Sequence, residues 1–278
     1  MKFLKRITQE RRKSKARKKI AEYENLHRSE EPRERPEVLH VEETFDAFVV
    51  EFGGEKISDR LHLKAQMPLN ADYIFPEYNV IAELKTLEGI FSGDTAVESL
   101  RQVFIDVALP DEIIRDIVFR NRPMPDKANA LIRTRIRRGL EQRIKKARKQ
   151  LRLSKSMFGN PQTFSLVLVA MDQPPLFGHQ LMLTQLAILM GSNFADEHID
   201  GVVYFNPNTP TRFNPDGMEF SGWYPFYRDD DVNAKLSAFV NLLGNRWLNY
   251  CGERWGEGNP ILELETFDEM MVALGSSR

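Results

Sequence analysis

Three ionisable residues interrupt otherwise apolar sequence. Asp72 closes Asn70-Ala71-Asp72 and is followed by Tyr73-Ile74-Phe75. Glu83 and Lys85 lie within Val80-Ile81-Ala82-Glu83-Leu84-Lys85-Thr86-Leu87. Residues two apart on a strand share a face, so Glu83 and Lys85 project together. Residues 70–75 and 80–87 read as strands joined by the turn Pro76-Glu77-Tyr78-Asn79, a hairpin in which Phe75 opposes Val80. Carried along the ladder, this register sets Asp72 opposite Glu83, with Cβ atoms about 5 Å apart. Two carboxylates so placed repel each other unless a cation lies between them. A hard divalent ion such as Mg²⁺, or Mn²⁺, takes carboxylate oxygens together with waters and phosphates. Lys85 offsets one negative charge and stands where it could position or deprotonate a water. The chemistry that fits is metal-assisted hydrolysis. Two alternatives stay open: a Glu-x-Lys pair is also a common solvated ion pair on an edge strand, and one residue of slip would turn Asp72 to the other face.

Elements that would position this set can be read on either side of it. Phe45, Phe48, Val49 and Phe52 recur at helical spacing and Gly53-Gly54 stops the run, predicting a helix over 41–52. Helical patterns follow at about 94–107 and 110–120. Ile136, Leu140, Ile144, Ala147 and Leu151 then give a narrow apolar stripe, predicting a helix over 130–152 with a cationic outer face. The uncharged run 164–171 reads as a buried strand. A helix at about 178–195, a strand at 201–205 and a helix at about 231–250 complete an α/β pattern, a central mixed β-sheet flanked by helices. The polar, proline-punctuated stretch 29–38 reads as a linker. The division is a basic N-terminal arm and linker over 1–38, then a single domain over 39–278. There is no G-x-G-x-x-G after a strand and no G-x-x-x-x-G-K-[ST], so dinucleotide oxidoreductases and P-loop NTPases lose their main support.

Taken with these elements, the Asp72…Glu83-Leu84-Lys85 spacing resembles the PD-(D/E)XK nuclease superfamily. Its restriction-endonuclease-like fold puts a helix before a three-stranded meander, then a helix and another strand. The resemblance covers about residues 41–171, with a helical insertion at 88–126 and a C-terminal extension at 172–278. It implies that Asp72 and Glu83 hold Mg²⁺ (or Mn²⁺), that the Leu84 carbonyl adds a ligand, and that Lys85 orients or activates the attacking water. It also implies accessory residues: Glu42 or Glu43 from the leading helix, and Lys146 or Gln150 from helix 130–152. The proline expected just before the Asp is displaced, since Pro68 lies four residues upstream and Ala71 precedes Asp72.

Charge along the chain bears on the partner. The 278 residues carry a formal net charge of −1. Residues 1–36 hold a net +7, residues 37–126 a net −10, residues 127–155 a net +11 and residues 172–278 a net −9. The block 127–155 has a single acid, Glu141, and supplies Arg133, Arg135, Arg137, Arg138, Arg143, Lys145, Arg148, Lys149 and Arg152 as a phosphate-binding face. The expected partner is nucleic acid, DNA first, and a homodimer is compatible with the pattern. The expected activity is that of a Mg²⁺-dependent endonuclease, the alternative being a non-catalytic nucleic-acid-binding protein that retains the nuclease fold. No apolar run reaches the roughly 18 residues of a membrane span. A single cysteine, Cys251, excludes an internal disulfide framework, so a reducing compartment, the cytoplasm, is expected.

Overall fold

A computed structural model of the chain describes residues 14–25, 38–60, 70–120, 122–173, 175–193, 198–208, 211–212, 219–228, 233–255, 262 and 264. The elements, in chain order, begin with a helix over 14–25 (α1). Next come Val41–Phe52 (α2), Glu55–Lys56 (β1), Ile57–Arg60 (α3), Tyr73–Phe75 (β2) and Val80–Thr86 (β3). Gly93–Asp106 (α4), Asp111–Arg120 (α5) and Asp126–Phe158 (α6) lead to Phe164–Ala170 (β4), His179–Asn193 (α7) and Gly201–Phe205 (β5). The chain continues through Thr211–Arg212 (β6), Glu219–Phe220 (β7), Trp223–Tyr227 (β8) and Ala234–Trp255 (α8).

Six strands form one mixed sheet in the order β1-β2-β3-β4-β5-β8, while β6 and β7 pair separately. The central strands β3, β4 and β5 run parallel, with antiparallel strands at both edges. Parallel strands need crossovers, and α6 and α7 supply them. Both pack on one face of the sheet: Ile132, Ile136, Leu140 and Ile144 of α6 and Leu183 and Leu186 of α7 meet Ile81, Val167, Val169 and Val202. On the other face, Phe45, Phe48 and Val49 of α2 and Phe239, Leu243 and Trp247 of α8 meet Tyr73, Ala82, Leu84, Leu168 and Val203. With both faces covered, the central strands are mostly apolar, as the run 164–171 suggested, and Glu83 and Lys85 of β3 stand out against them.

The hairpin register is the one read from the sequence: Phe75 pairs Val80, Ile74 pairs Ile81 and Tyr73 pairs Ala82. Its loop is a single 3-10 turn, Pro76–Tyr78, closed by Asn79 at φ 54°. Asparagine tolerates this left-handed conformation better than other residues with a Cβ. The Asn79 Oδ1 also accepts the Thr163 hydroxyl at 2.7 Å, tying the turn to the start of β4.

Three expectations shift. The strand expected over 70–75 begins only at Tyr73, because α6 captures the residues before it. Ala71 N–H donates to Ser154 Oγ at 2.8 Å and the Asn70 carbonyl accepts from Gln150 Nε2 at 2.8 Å. The basic helix is 33 residues long rather than 130–152, bounded by Pro125 and Gly159. The segment Trp223–Tyr227, for which no strand is expected from the sequence, is β8. It lies at the sheet edge, where a proline's missing N–H is tolerated. Within the N-terminal arm, residues 14–25 are helical, with Ala16 and Ile20 packed on Leu262 and Leu264. Linker 29–38 lies outside the described residues up to 37.

α8, from the C-terminal segment 172–278, thus provides half of one core layer. Trp247 is fully buried, with ring centroids 4.9 Å from Phe45 and 5.3 Å from Phe48. Truncating a buried aromatic leaves a large cavity. Trp247→Ala should lower the free energy of unfolding by about 3–5 kcal/mol in urea titration, as expected if α8 is part of the core that α2 covers.

Candidate metal centre

β2 and β3 part company at Asp72, and the side chain fills the gap. Asp72 Oδ2 accepts the Leu84 backbone N–H at 2.8 Å, the bond a longer β2 would have made through its main chain. The Asp72 carbonyl in turn accepts the Ile57 N–H at 2.9 Å, so the first residue of α3 holds it from the other side. The two carboxyls lie within mutual reach: Asp72 and Glu83 each shift the other's ionisation.

Glu83 is completely buried. The Lys85 ammonium pairs with Glu83 Oε1, and Lys85 itself keeps a small exposed surface. Glu83 Oε2 has no donor among the described residues. Burial pushes the Glu83 carboxyl up to about 8, and the Asp72 charge adds to this while Lys85 opposes it. Burial also raises Asp72, against the Leu84 amide and Lys85, which favour its ionised form. A buried, donor-free carboxylate oxygen beside a second carboxylate needs either a proton or a cation.

The remaining residues singled out in the sequence fall into three groups. Gln150 faces the site from α6: it is buried, its amide donates to Asn70, and its Oε1 has no donor among the described residues. Lys146, one turn away, is exposed. Glu42 accepts the Thr86 hydroxyl at 3.0 Å at the end of β3, and Glu43 is exposed beside it. Leu84 packs its side chain into the α2–α8 core, leaving its main chain to the site.

The acid of α2 nearest to Asp72 in effect is neither Glu42 nor Glu43 but Asp46, which the sequence reading passed over. Asp46 Oδ1 accepts the Tyr73 hydroxyl at 2.8 Å, Oδ2 pairs with Lys56, and its charge raises Asp72. Tyr73 is held well above its ordinary range, first by burial and then by Asp46. One signal was available: Asp46 follows Glu42 by one helical turn and directly follows the core residue Phe45.

The basic block divides in two. Arg135 donates to the Ser99 carbonyl at 2.9 Å and to Asp106 at 2.6 Å. Arg143 donates to the Glu88 carbonyl at 3.0 Å and lies 4.7 Å over the Phe91 ring. These two arginines fasten the segment 88–106 to α6. Arg148 is half-buried. Arg133, Arg137, Arg138, Lys145, Lys149 and Arg152 are exposed, Lys145 with an ion pair to Glu141 at 2.6 Å. Arg138, Lys145, Lys149 and Arg152 follow at spacings of 7, 4 and 3, one outer stripe about 21 Å long at 1.5 Å per residue.

No family of proteins, no curated protein and no solved structure matches the chain. Among the described residues, no three His, Cys, Asp or Glu side chains are grouped to hold a metal ion. The carboxylates that could serve as donors are the Asp72–Glu83 pair, which main-chain oxygen and solvent would have to complete. That set fits a Mg²⁺ ion, which keeps several waters and takes one or two carboxylates.

The shift at Glu83 fixes a pH dependence. Below the ordinary glutamate value of 4.5, the group is protonated in both folded and unfolded chains. Between 4.5 and about 8, the folded chain keeps a proton that the unfolded chain releases, so stability falls as pH rises. Glu83→Gln removes this loss. In metal-free buffer its melting temperature relative to wild type should climb as pH rises from 5 to 8; a constant difference would show that Glu83 is ionised throughout.

Proposed function

We propose that the protein is a Mg²⁺-dependent nuclease that hydrolyses phosphodiester bonds, an endonuclease of the PD-(D/E)XK kind acting on DNA. The observation that carries this reading is the Asp72–Glu83 pair: two carboxyls drawn together out of water, one oxygen lacking a donor, and Lys85 bound to the pair. The order α2, antiparallel β1–β2–β3, α6, β4 supports a restriction-endonuclease-like core.

Asp72 and Glu83 would hold the metal, with the Leu84 carbonyl a further oxygen ligand. A divalent ion bound there supplies a Lewis acid for the scissile phosphate and lowers the pKa of a bound water. The chain's own groups do the rest. The Leu84 amide fixes the Asp72 carboxylate. Lys85, anchored on Glu83 and open to solvent at its edge, orients the water and balances charge that develops on the phosphate. Gln150 fixes the main chain leading into Asp72 through the Asn70 carbonyl. The exposed cations of α6 grip the phosphate backbone, so binding weakens steeply with salt.

The second reading, a nucleic-acid-binding protein without catalysis, draws on one observation: no third carboxylate or histidine joins the pair among the described residues. Plasmid cleavage separates the two. The purified chain with Mg²⁺ or Mn²⁺ should nick or linearise plasmid, and EDTA should stop it. Lys85→Ala should slow cleavage by about 100-fold or more. Cutting that survives Asp72→Ala with Glu83→Ala would rule out this site. Salt-dependent binding without cutting under any metal would favour the second reading.

The division of the basic block is tested by binding alone, with Glu83→Gln as background. Removing Lys149 or Arg152 should weaken DNA binding and reduce the salt slope by about one for each phosphate left without its cation. Arg135→Ala should leave that slope unchanged and lower the melting temperature instead.

A further inference from the structure

The exposed cationic stripe of α6 and the candidate metal centre lie on different sides of that helix. Successive residues of an α-helix turn by about 100°. Ile136, Leu140, Ile144, Ala147, Gln150 and Leu151 are buried and mark the side of α6 that packs on the sheet. Arg138, Lys145, Lys149 and Arg152 are exposed and lie about 160° round the helix from the middle of that side. The metal centre belongs to the sheet side. Glu83 and Lys85 are in register with Val167 and Val169, which pack against α6, and Gln150 reaches the Asn70 carbonyl there. The thickness of the helix, about 10 Å, therefore separates the stripe from the centre. Gln142 and Lys146, both exposed, occupy the flank that joins the two sides.

Packing within the chain does not account for the stripe. Arg135 and Arg143 spend their donors on the segment 88–106, whereas Arg138, Lys149 and Arg152 have no ion pair among the described residues and Lys145 has only Glu141. Lys145 and Lys149 are four residues apart, and Lys149 and Arg152 three, so like charges are neighbours on the helix and repel. A polyanion laid along them removes the repulsion and gains by counterion release. We propose that this stripe is an exosite: it holds substrate phosphates outside the stretch that enters the metal centre, and the backbone passes between the two over the flank of Lys146. Its ligand is the nucleic acid of the nuclease reading, on which it rests. Contacts this far from the reacting phosphate are alike in ground and transition states, so they raise affinity without speeding the chemical step. The stripe spans about 21 Å, or about six base pairs at 3.4 Å each, so a substrate that fills both sites extends at least that far beyond the cut.

The test combines Arg138→Ala, Lys145→Ala, Lys149→Ala and Arg152→Ala in the full-length chain and compares duplexes of about 10 and about 30 base pairs. With Mg²⁺, KM for the long duplex should rise about tenfold or more while kcat holds, and KM for the short duplex should rise roughly twofold or less. Without metal, fluorescence anisotropy should show weaker binding of the long duplex, with a salt slope smaller by about 3–4. All four side chains are exposed, so an unchanged melting temperature confirms that the variant is folded. A kcat that falls as far as KM rises, an equal effect on both duplexes, or metal-free binding indifferent to the four changes would overturn the exosite and leave the nuclease reading intact. Stripe-dependent binding with no cleavage under any metal would instead sink the nuclease reading and keep the nucleic-acid contact.

Discussion

Glu83 is a carboxyl with no exposed surface in the middle strand of a sheet covered on both sides, and Asp72 stands beside it. Burying one charge is expensive; burying two of the same sign is more so. Much of the local architecture makes sense as accommodation of that pair. β2 is cut to three residues so that the Asp72 side chain, rather than its main chain, meets the Leu84 amide. Ser154 and Gln150 of α6 take over the hydrogen bonds that residues 70 and 71 give up by leaving the ladder. Lys85 neutralises one charge from the same strand. Among the described residues Glu83 Oε2 has no donor, and the proposed metal reading depends on that oxygen.

The basic helix shows how one stretch of sequence can serve two masters. Its inner stripe supplies the core beneath the sheet, and its flanks carry so many cations that a single count cannot assign them. Arg135 and Arg143 lie on the flank that meets the insertion, where carbonyls, Asp106 and the Phe91 ring consume their donors. Arginine suits this role because its planar group can donate in several directions and stack at once. Of the residues that remain exposed, Arg138, Lys145, Lys149 and Arg152 form a stripe narrower than the sequence count of twelve basic residues over 127–155 implies.

The hairpin was legible because three local signals agree. Pro76 and Asn79 suit a tight turn, the flanking residues are apolar, and a four-residue loop sets Phe75 opposite Val80. The same logic located α2, where Gly53 takes φ 93° and caps the helix with its own N–H. Asp46 was not legible in the same way. It lies on the border of the apolar stripe, and its role depends on Tyr73 and Lys56, ten and more residues away in sequence. β8 was not legible either; its Pro225 is acceptable because the strand lies at an edge, a fact of sheet order.

The sequence by itself determined the α/β alternation, the hairpin register and hence the meeting of Asp72 with Glu83, because strand pairing across a short turn is a local matter of spacing. It also determined that positive charge gathers on one long helix. Only the tertiary structure decided which face of that helix is free, which acid of α2 reaches the pair, and that α8 closes the core from far along the chain. Those outcomes depend on burial and on partners remote in sequence, and spacing along one segment carries no information about either. The burial of Glu83 belongs to the same class: its apolar neighbours suggested a dry setting, but layers on both sides of β3 were needed to remove it from water altogether.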